Sequence, residues 1–359
     1  MWPDRRLIDL FGIETPIIQA PMAGVTDAEL MIAAAKGGAL ASLPCAMLSP
    51  DKVREQVAAF RNAVKAPINL NFFSHQAVPS DPEIEARWRV RLSGYAEELG
   101  LMADYPAPAA SRAPFDEAMC ALVEELRPEV VSFHFGLPPE PLLARVKAAG
   151  ALVLSSATIV REAIWLEQHG VDAIIAQGAE AGGHRGMFLT DDTAAQPGLF
   201  ALLPQVVDAV KVPVIATGGI ADSRGIAAAF ALGAAGVQLG TVYMHCPEAK
   251  VSALARAAMQ QAGDDSTVLT NIMTGRPARG IANRVMRELG PLSAEVPPFP
   301  HASGALGPLR AAAEQRGKVD FSFLWAGQAV RIGTGQPAEQ LTRALAEAAQ
   351  QRLKQLGGP

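Results

Sequence analysis

Residues 212–241 read VPVIATGGIADSRGIAAAFALGAAGVQLGT. An apolar run at 212–216 leads into a glycine turn, an Ala-rich helical pattern over 222–233 and a second apolar run at 236–239. Continuous apolar runs that alternate with helical patterns are typical of parallel strands, because crossover helices cover both faces of the sheet. The stretch therefore predicts one βαβ unit.

The same unit recurs along the chain. Short aliphatic and β-branched runs follow Gly or Pro breaks and precede helical patterns such as 27–36, 52–64 and 158–170. Eight such units close a (β/α)8 TIM barrel, so we predict an α/β protein with this fold. The predicted strands are 16–20, 39–43, 67–72, 130–134, 151–155, 173–177, 212–216 and 236–239.

Two segments exceed what a barrel needs. Residues 76–127 are far longer than an ordinary βα loop, so we predict a helical and loop insertion after the third strand. Residues 261–359 are punctuated by Gly and Pro and end in a helical pattern, which predicts a C-terminal lid segment with a closing helix. Residues 1–75 and 128–260 would form the barrel, and both additions would shape access to its mouth.

Composition excludes several classes of function. The chain has 359 residues, half of them hydrophobic, and a net charge of −5 from 31 basic and 36 acidic residues, with no basic run for nucleic acid. No apolar stretch is long enough for a membrane span. Three scattered cysteines without a Cys/His ligand spacing predict a reduced, cytoplasmic protein without a metal site.

The ends of the predicted strands carry the residues suited to chemistry, because the active site of a TIM barrel lies there. The sixth strand ends in residues 177–186, QGAEAGGHRG, where glycines permit close backbone approach. His184 in this loop titrates in a range suited to proton transfer, which predicts a catalytic role. His75 and His134 follow the third and fourth strands and are weaker candidates for substrate contact.

Glycine-rich turns also end the seventh and eighth strands, at 217–221 and 238–241. Exposed backbone N–H groups beside a helix start form the usual phosphate cradle of this fold. The alternative is that these glycines only make tight turns. Because the chain has neither a Walker A sequence nor a Rossmann glycine fingerprint, a phosphate here favours a mononucleotide such as FMN.

The strand ends resemble the nitronate monooxygenases, formerly 2-nitropropane dioxygenases, and specifically their class I. One departure is Ser74, where members of that class commonly have Cys before the histidine. The similar stretches are 17–22, 67–75, 177–186, 216–220, 237–241, 274–280 and 324–329.

The resemblance implies a flavin-dependent barrel that binds FMN without a covalent link. It implies oxidation of alkyl nitronates, such as propionate-3-nitronate, by O₂ to a carbonyl compound plus nitrite, with His184 as the catalytic residue. We expect His184 to orient and neutralise the nitronate anion, and to remove the α-proton from a neutral nitroalkane. With the glycine turns, the predicted cofactor residues are Ala20, Pro21, Met22, Asn71, Gln177, Gly182, Gly183, Gly218, Gly219, Gln238, Leu239, Gly240 and Thr241.

Two other functions stay open at this point. FMN-dependent NAD(P)H oxidoreductases of the enoyl-ACP reductase or quinone reductase type share the glycine and histidine loop and the FMN cradle. A flavin-binding protein without turnover is the second alternative. The expected partners are a small-molecule nitronate and O₂, and a homodimer is among the assemblies that the sequence allows.

Overall fold

A computed structural model describes residues 2–102, 105 and 112–357 of the chain. Its strands are β1 (Ile17–Gln19), β2 (Ala41–Pro44), β3 (Ile68–Phe73), β4 (Val130–His134), β5 (Leu152–Ala157), β6 (Ala173–Gln177), β7 (Gly183–His184), β8 (Val214–Thr217), β9 (Gly236–Leu239), β10 (Thr267–Thr270) and β11 (Ala278–Ile281). Its α-helices are α1 (Arg6–Phe11), α2 (Ala28–Lys36), α3 (Pro50–Ala63), α4 (Pro82–Glu98), α5 (Glu117–Leu126), α6 (Glu140–Ala148), α7 (Val160–Gln168), α8 (Leu199–Ala209), α9 (Ser223–Ala231), α10 (Thr241–Met244), α11 (Ala253–Gln261), α12 (Arg284–Leu289), α13 (Ala302–Gln315) and α14 (Ala338–Leu356).

Eight parallel strands form the barrel, and each overlaps one of the eight predicted ranges. Their order around the sheet is β1, β9, β8, β6, β5, β4, β3, β2. Strands β1 and β2 meet at an isolated bridge, where Leu40 N donates to Ile17 O and Gln19 N donates to Leu40 O, both at 2.9 Å. The predicted (β/α)8 TIM barrel is therefore confirmed.

Two helices begin at the capping residues that precede their helical patterns in the sequence. Ser49 caps α3 by accepting from Lys52 N at 3.3 Å, with Pro50 as the first helical residue. Asp222 caps α9 by accepting from Arg224 N at 2.8 Å. Such caps satisfy backbone donors that the first helical turn leaves free. They fix where α3 and α9 start, directly after the mouth of the barrel.

The last helix completes the ring around the barrel. Helix α14 packs against α9 and α2, between the last and the first βα units. Thr342 of α14 also contacts α10, where its hydroxyl lies 2.7 Å from that of Tyr243, and both side chains are fully buried. The C-terminal helix thus takes the place of the eighth barrel helix.

The insertion after β3 contains two helices with different partners. Helix α5 packs against α3 and α6 in the barrel ring, whereas α4 packs against α13 of the C-terminal region. We therefore propose that α5 belongs to the barrel. The insertion would then end before α5 and not at residue 127.

A second, smaller apolar core lies outside the barrel. Trp88 and Leu92 of α4 pack there with Leu306 and Leu309 of α13. The Tyr105 hydroxyl also donates to Ala305 O at 3.0 Å. The insertion and the C-terminal extension therefore form one packed unit, which the sequence did not predict.

A small antiparallel sheet connects this unit to the barrel mouth. Strand β11 pairs with β10 on one side and with β7 on the other, and Ala278 lies opposite His184. Strands β7 and β11 lie about a hundred residues apart in sequence, and local sequence patterns do not predict such a distant pairing. The β7 pairing fixes the backbone of His184.

Within the described ranges, no helix is both long enough and apolar enough to cross a bilayer. In the same part of the chain, no cluster of three His, Cys, Asp or Glu side chains is arranged to hold a metal ion. Cys45, Cys120 and Cys246 are buried and unpaired, as expected for small apolar core residues.

Candidate active site

The backbone of His184 is held by two side chains from β6 and β4, the two barrel strands that flank β5. Gln177 at the end of β6 donates from Nε2 to His184 O at 3.0 Å, and its Oε1 accepts from Gly186 N at 2.8 Å. His134 at the end of β4 lies within 3.0 Å of the same carbonyl through Nε2 and 3.1 Å from Ser156 Oγ through Nδ1. Both side chains support the loop, although the sequence suggested them as cofactor and substrate contacts.

The His184 imidazole lies among aromatic rings. The ring centroids of Phe73, Phe135, Phe299 and Trp325 lie 6.1, 5.9, 5.3 and 5.5 Å from that of His184. Phe135 holds a positive φ of 73°, which is uncommon for a residue other than glycine and marks a constrained position at the mouth. These rings exclude water and favour the uncharged form of the histidine.

Two arginines supply the positive charge of the site. The Arg276 guanidinium carbon lies 4.0 Å from the Phe135 ring centroid, and the Arg112 guanidinium carbon lies 6.0 Å from the Phe299 centroid. Arg112 is 9% exposed, and the buried Nε of Arg276 has no hydrogen-bond partner. Among the residues that the structure describes, neither guanidinium forms a salt bridge. Although the carboxylates of Asp191 and Glu162 act on Arg276 from a distance, the site holds positive charge that is not directly paired and that suits an anion.

The histidine itself contributes no charge near neutral pH. Burial, followed by the charges of Arg112 and the other site cations, lowers the pKa of His184 well below its ordinary value of 6.5. A neutral imidazole carries no charge to set against an anion, whereas Arg112 and Arg276 do, and the role of His184 towards a nitronate stays a prediction. The neutral ring instead keeps a lone pair with which to accept a proton.

His75 lies in the same aromatic environment. Its ring centroid is 4.9 Å from that of Phe299, the residue is 5% exposed, and its Nδ1 has no hydrogen-bond partner. Burial and the charge of Arg276 lower the pKa of His75 to about 4. An unpartnered buried ring nitrogen is costly unless a ligand or water reaches it, so His75 stays a candidate for substrate contact.

Stability is expected to decrease as the pH is lowered from 6.5 towards 4. The folded-state pKa values of His75 and His134 are about 4, with burial as the main cause, whereas their ordinary value is 6.5. Between these values the unfolded chain binds more protons, so stability is complete above the upper value and is lost as the pH falls through the window. Each group contributes up to about 1.4 kcal/mol per pH unit.

Denaturant unfolding at about pH 7.5 and about pH 5 would measure this loss. His134→Gln, which keeps a donor near the His184 carbonyl but does not titrate, should show a shallower pH dependence than the parent. A free energy of unfolding that is equal at both pH values would contradict the low pKa values of these histidines.

The predicted cofactor residues surround the ends of β1, β8 and β9. Gly218 and Gly219 have φ values of 115° and 69°, which glycine adopts readily and residues with a side chain rarely adopt. Gln238 Oε1 is buried without a hydrogen-bond partner at the end of β9. An orphaned buried acceptor beside a glycine turn fits a ligand that offers a donor, as the polar edge of a flavin does.

Other members of that predicted set are engaged within the protein. Asn71 donates from Nδ2 to Ser132 Oγ at 2.9 Å, and Thr241 Oγ1 accepts from Gly327 N at 2.9 Å. The Leu239 side chain is fully buried in the core, and its carbonyl accepts from Ala20 N at 2.8 Å.

The remaining positions lie close to these contacts. Ala20 is buried, Pro21 and Met22 are half-buried, and the Met22 sulfur lies 3.8 Å from the Cβ position of Gly240. A side chain at Gly182 would meet Gly327 N at 2.5 Å, whereas one at Gly183 would meet no atom within 4 Å. Glycine at 182 is thus explained by protein packing alone.

Comparison with known proteins identifies the family. The nitronate monooxygenase family model matches residues 4–348. The chain belongs to the nitronate monooxygenase family. A nitronate monooxygenase from Paraburkholderia phytofirmans is 40% identical over 98% of this chain and 97% of that protein. One from Pseudomonas aeruginosa is 38% identical over 95% of this chain and 98% of that protein.

A solved structure supports the same assignment. Nitroalkane oxidase from Streptomyces ansochromogenes aligns with a TM-score of 0.88 and 35% identity, covering 98% of this chain and 99% of that one. This nitronate monooxygenase family member is therefore an oxidoreductase of the monooxygenase type that acts on a small molecule. The resemblance predicted from the strand ends is confirmed, and the NAD(P)H oxidoreductase alternative is not favoured.

Proposed function

We propose that this chain oxidises alkyl nitronates with O₂ to a carbonyl compound and nitrite, with FMN as its cofactor and His184 as its catalytic base. The observation that carries the proposal is the placement of the His184 imidazole among four aromatic rings, with the cations of Arg112 and Arg276 against two of the same rings. A simple alkyl nitronate such as ethylnitronate is an anion with an apolar tail. The arginines attract the charge, and the rings accommodate the tail.

FMN would lie against the glycine turns at Gly218, Gly219 and Gly240, with Gln238 Oε1 as an acceptor for its polar edge. When bound, FMN supplies the electron transfer that nitronate oxidation requires, which no side chain of the site provides. The chain's own residues bind and orient the substrate, exclude water and hold the proton.

His184 has a separate task when the substrate arrives as a neutral nitroalkane. The α C–H bond must then break before oxidation. The imidazole accepts the proton, and the electron pair of the broken C–H bond forms the C=N bond of the nitronate. Arg276 and Arg112 stabilise the anion that results. A preformed nitronate bypasses this step.

The unit formed by α4 and α13 is proposed to cover the substrate, because Phe299 precedes α13 and contacts the His184 ring. The three buried free thiols favour the cytoplasm as the proposed location. A homodimer stays a prediction.

The decisive test separates oxidation by O₂ from reduction by NAD(P)H. We expect the purified protein to release nitrite from ethylnitronate or propionate-3-nitronate in air without any nicotinamide. Under anaerobic conditions, NADH and NADPH should leave the flavin absorbance unchanged on the timescale of turnover. Rapid bleaching by either nicotinamide, with no nitrite formed in the first assay, would overturn the proposal.

A further inference from the structure

Thr274 is the hydrogen-bond partner of the His184 ring. Its Oγ1 lies 2.9 Å from His184 Nε2, and the residue is fully buried. The neighbouring Gly275 fixes the turn that carries it, with a φ of 87° and a Cβ position 2.2 Å from Pro297 O. Because β7 also pairs with β11 immediately downstream, Thr274 and His184 belong to one rigid unit.

A third atom offers the Thr274 hydroxyl an alternative acceptor, and from it we infer the direction of this hydrogen bond. Thr274 Oγ1 also lies 3.4 Å from Arg276 O, a backbone carbonyl that can only accept. A hydroxyl has one proton, and giving it to Arg276 O leaves Oγ1 as the acceptor for His184 Nε2–H. A neutral imidazole carries a single N–H, so the lone pair is then on Nδ1.

The Nδ1 atom is available for substrate. Within the described part of the chain it has no hydrogen-bond partner, and it is not among the ring nitrogens sealed from solvent, in contrast to Nδ1 of His75. In many enzymes a carboxylate orients the catalytic histidine, but among the described residues the hydrogen-bond partner of the His184 ring is the hydroxyl of Thr274, which takes this orienting role.

We propose that Thr274 is a positioning residue that holds His184 in the tautomer protonated at Nε2 and thereby presents Nδ1 as the proton acceptor. In the step it serves, the α C–H bond of a nitroalkane breaks, the proton moves to Nδ1, and the electron pair forms the C=N bond of the nitronate. The inference rests on the proposed function, which assigns His184 as the base.

The kinetic test compares Thr274→Val with Thr274→Ser, using nitroethane and ethylnitronate. Valine has nearly the shape of threonine but cannot accept Nε2–H, so we expect kcat/KM for nitroethane to fall about tenfold. The serine variant keeps the hydroxyl and should stay within about twofold of the parent. Ethylnitronate needs no proton removal, so its kcat/KM should change less than about twofold in both variants.

A spectroscopic test does not depend on turnover. In the FMN-loaded protein labelled with ¹⁵N-histidine, the His184 signals, assigned by their absence in His184→Asn, should show a protonated Nε2 and a bare Nδ1. Thr274→Val should shift them towards a mixture of tautomers, and Thr274→Ser should restore the parent pattern. A parent spectrum with the proton on Nδ1 would overturn the inference.

The two tests separate this inference from the proposed function. If the parent protein forms no nitrite from ethylnitronate, the proposed function fails, and the ¹⁵N spectra still decide the role of Thr274. If nitrite forms and Thr274→Val keeps full activity with nitroethane, the proposed function stands and the positioning role is wrong.

Discussion

His184→Asn is expected to lose turnover of neutral nitroalkanes by about 100-fold to 10,000-fold while the purified protein keeps its flavin. Asparagine is smaller than histidine, so it fits among the surrounding aromatic rings, but its amide cannot accept the α-proton. The glycine turns at 218–219 are contributed by another strand and do not involve the His184 side chain. Cofactor content and catalysis should therefore separate in this variant.

The substrate comparison makes this prediction specific. With a preformed nitronate the loss should be much smaller, because Arg112 and Arg276 still attract the anion and no C–H bond has to break. His169→Asn is the matched control: His169 follows α7, is exposed and contacts Trp165 O at 2.7 Å, away from the site. Activity with nitroethane within about twofold of the parent in His184→Asn would exclude His184 as the base.

The barrel could be predicted because its signals are local. Each strand is a short apolar run, and some of the crossover helices carry a side-chain cap, as at Ser49 and Asp222. The small sheet at the mouth has no such signal. Strand β7 is two residues long, and it exists because β11, nearly a hundred residues later, pairs with it.

The site was predictable only in part, for a related reason. His184 stands out in the sequence because glycines frame it at a strand end. Its partners Thr274 and Arg112 come from the C-terminal region and the insertion, and their contacts depend on tertiary packing. Sequence also shows which groups a side chain carries but not what satisfies them: the amide of Gln177 is engaged by the loop, whereas Gln238 Oε1 is free.

The amino-acid composition does not reveal the local charge of the site. The chain is acidic overall, with a net charge of −5. The mouth of the barrel nevertheless brings together a buried arginine, Arg112, a half-buried one, Arg276, and three histidines whose pKa values are lowered. The local charge of the mouth therefore differs in sign from the total charge of the chain.

Gly219→Val is expected to remove FMN from the protein. The residue ends the turn after β8 with a φ of 69°, and a Cβ there would lie 3.3 Å from Glu180 Cβ. A branched side chain at this position would occupy the surface that a phosphorylated cofactor needs for contact with bare backbone, and would strain the turn that presents it. The purified variant should lack the flavin absorbance near about 450 nm and release no nitrite.

Backbone strain alone has to be separated from loss of the cradle, and Gly150→Val provides the comparison. Gly150 has a φ of 94° with open space around its Cβ position, in the turn between α6 and β5 at the opposite end of the barrel. Both substitutions should cost about 1–3 kcal/mol of strain. If the flavin content falls equally in both, general destabilisation explains the loss; if Gly219→Val keeps a full complement of FMN, the cofactor does not bind at the β8 turn. Loss in Gly219→Val alone would locate the phosphate cradle.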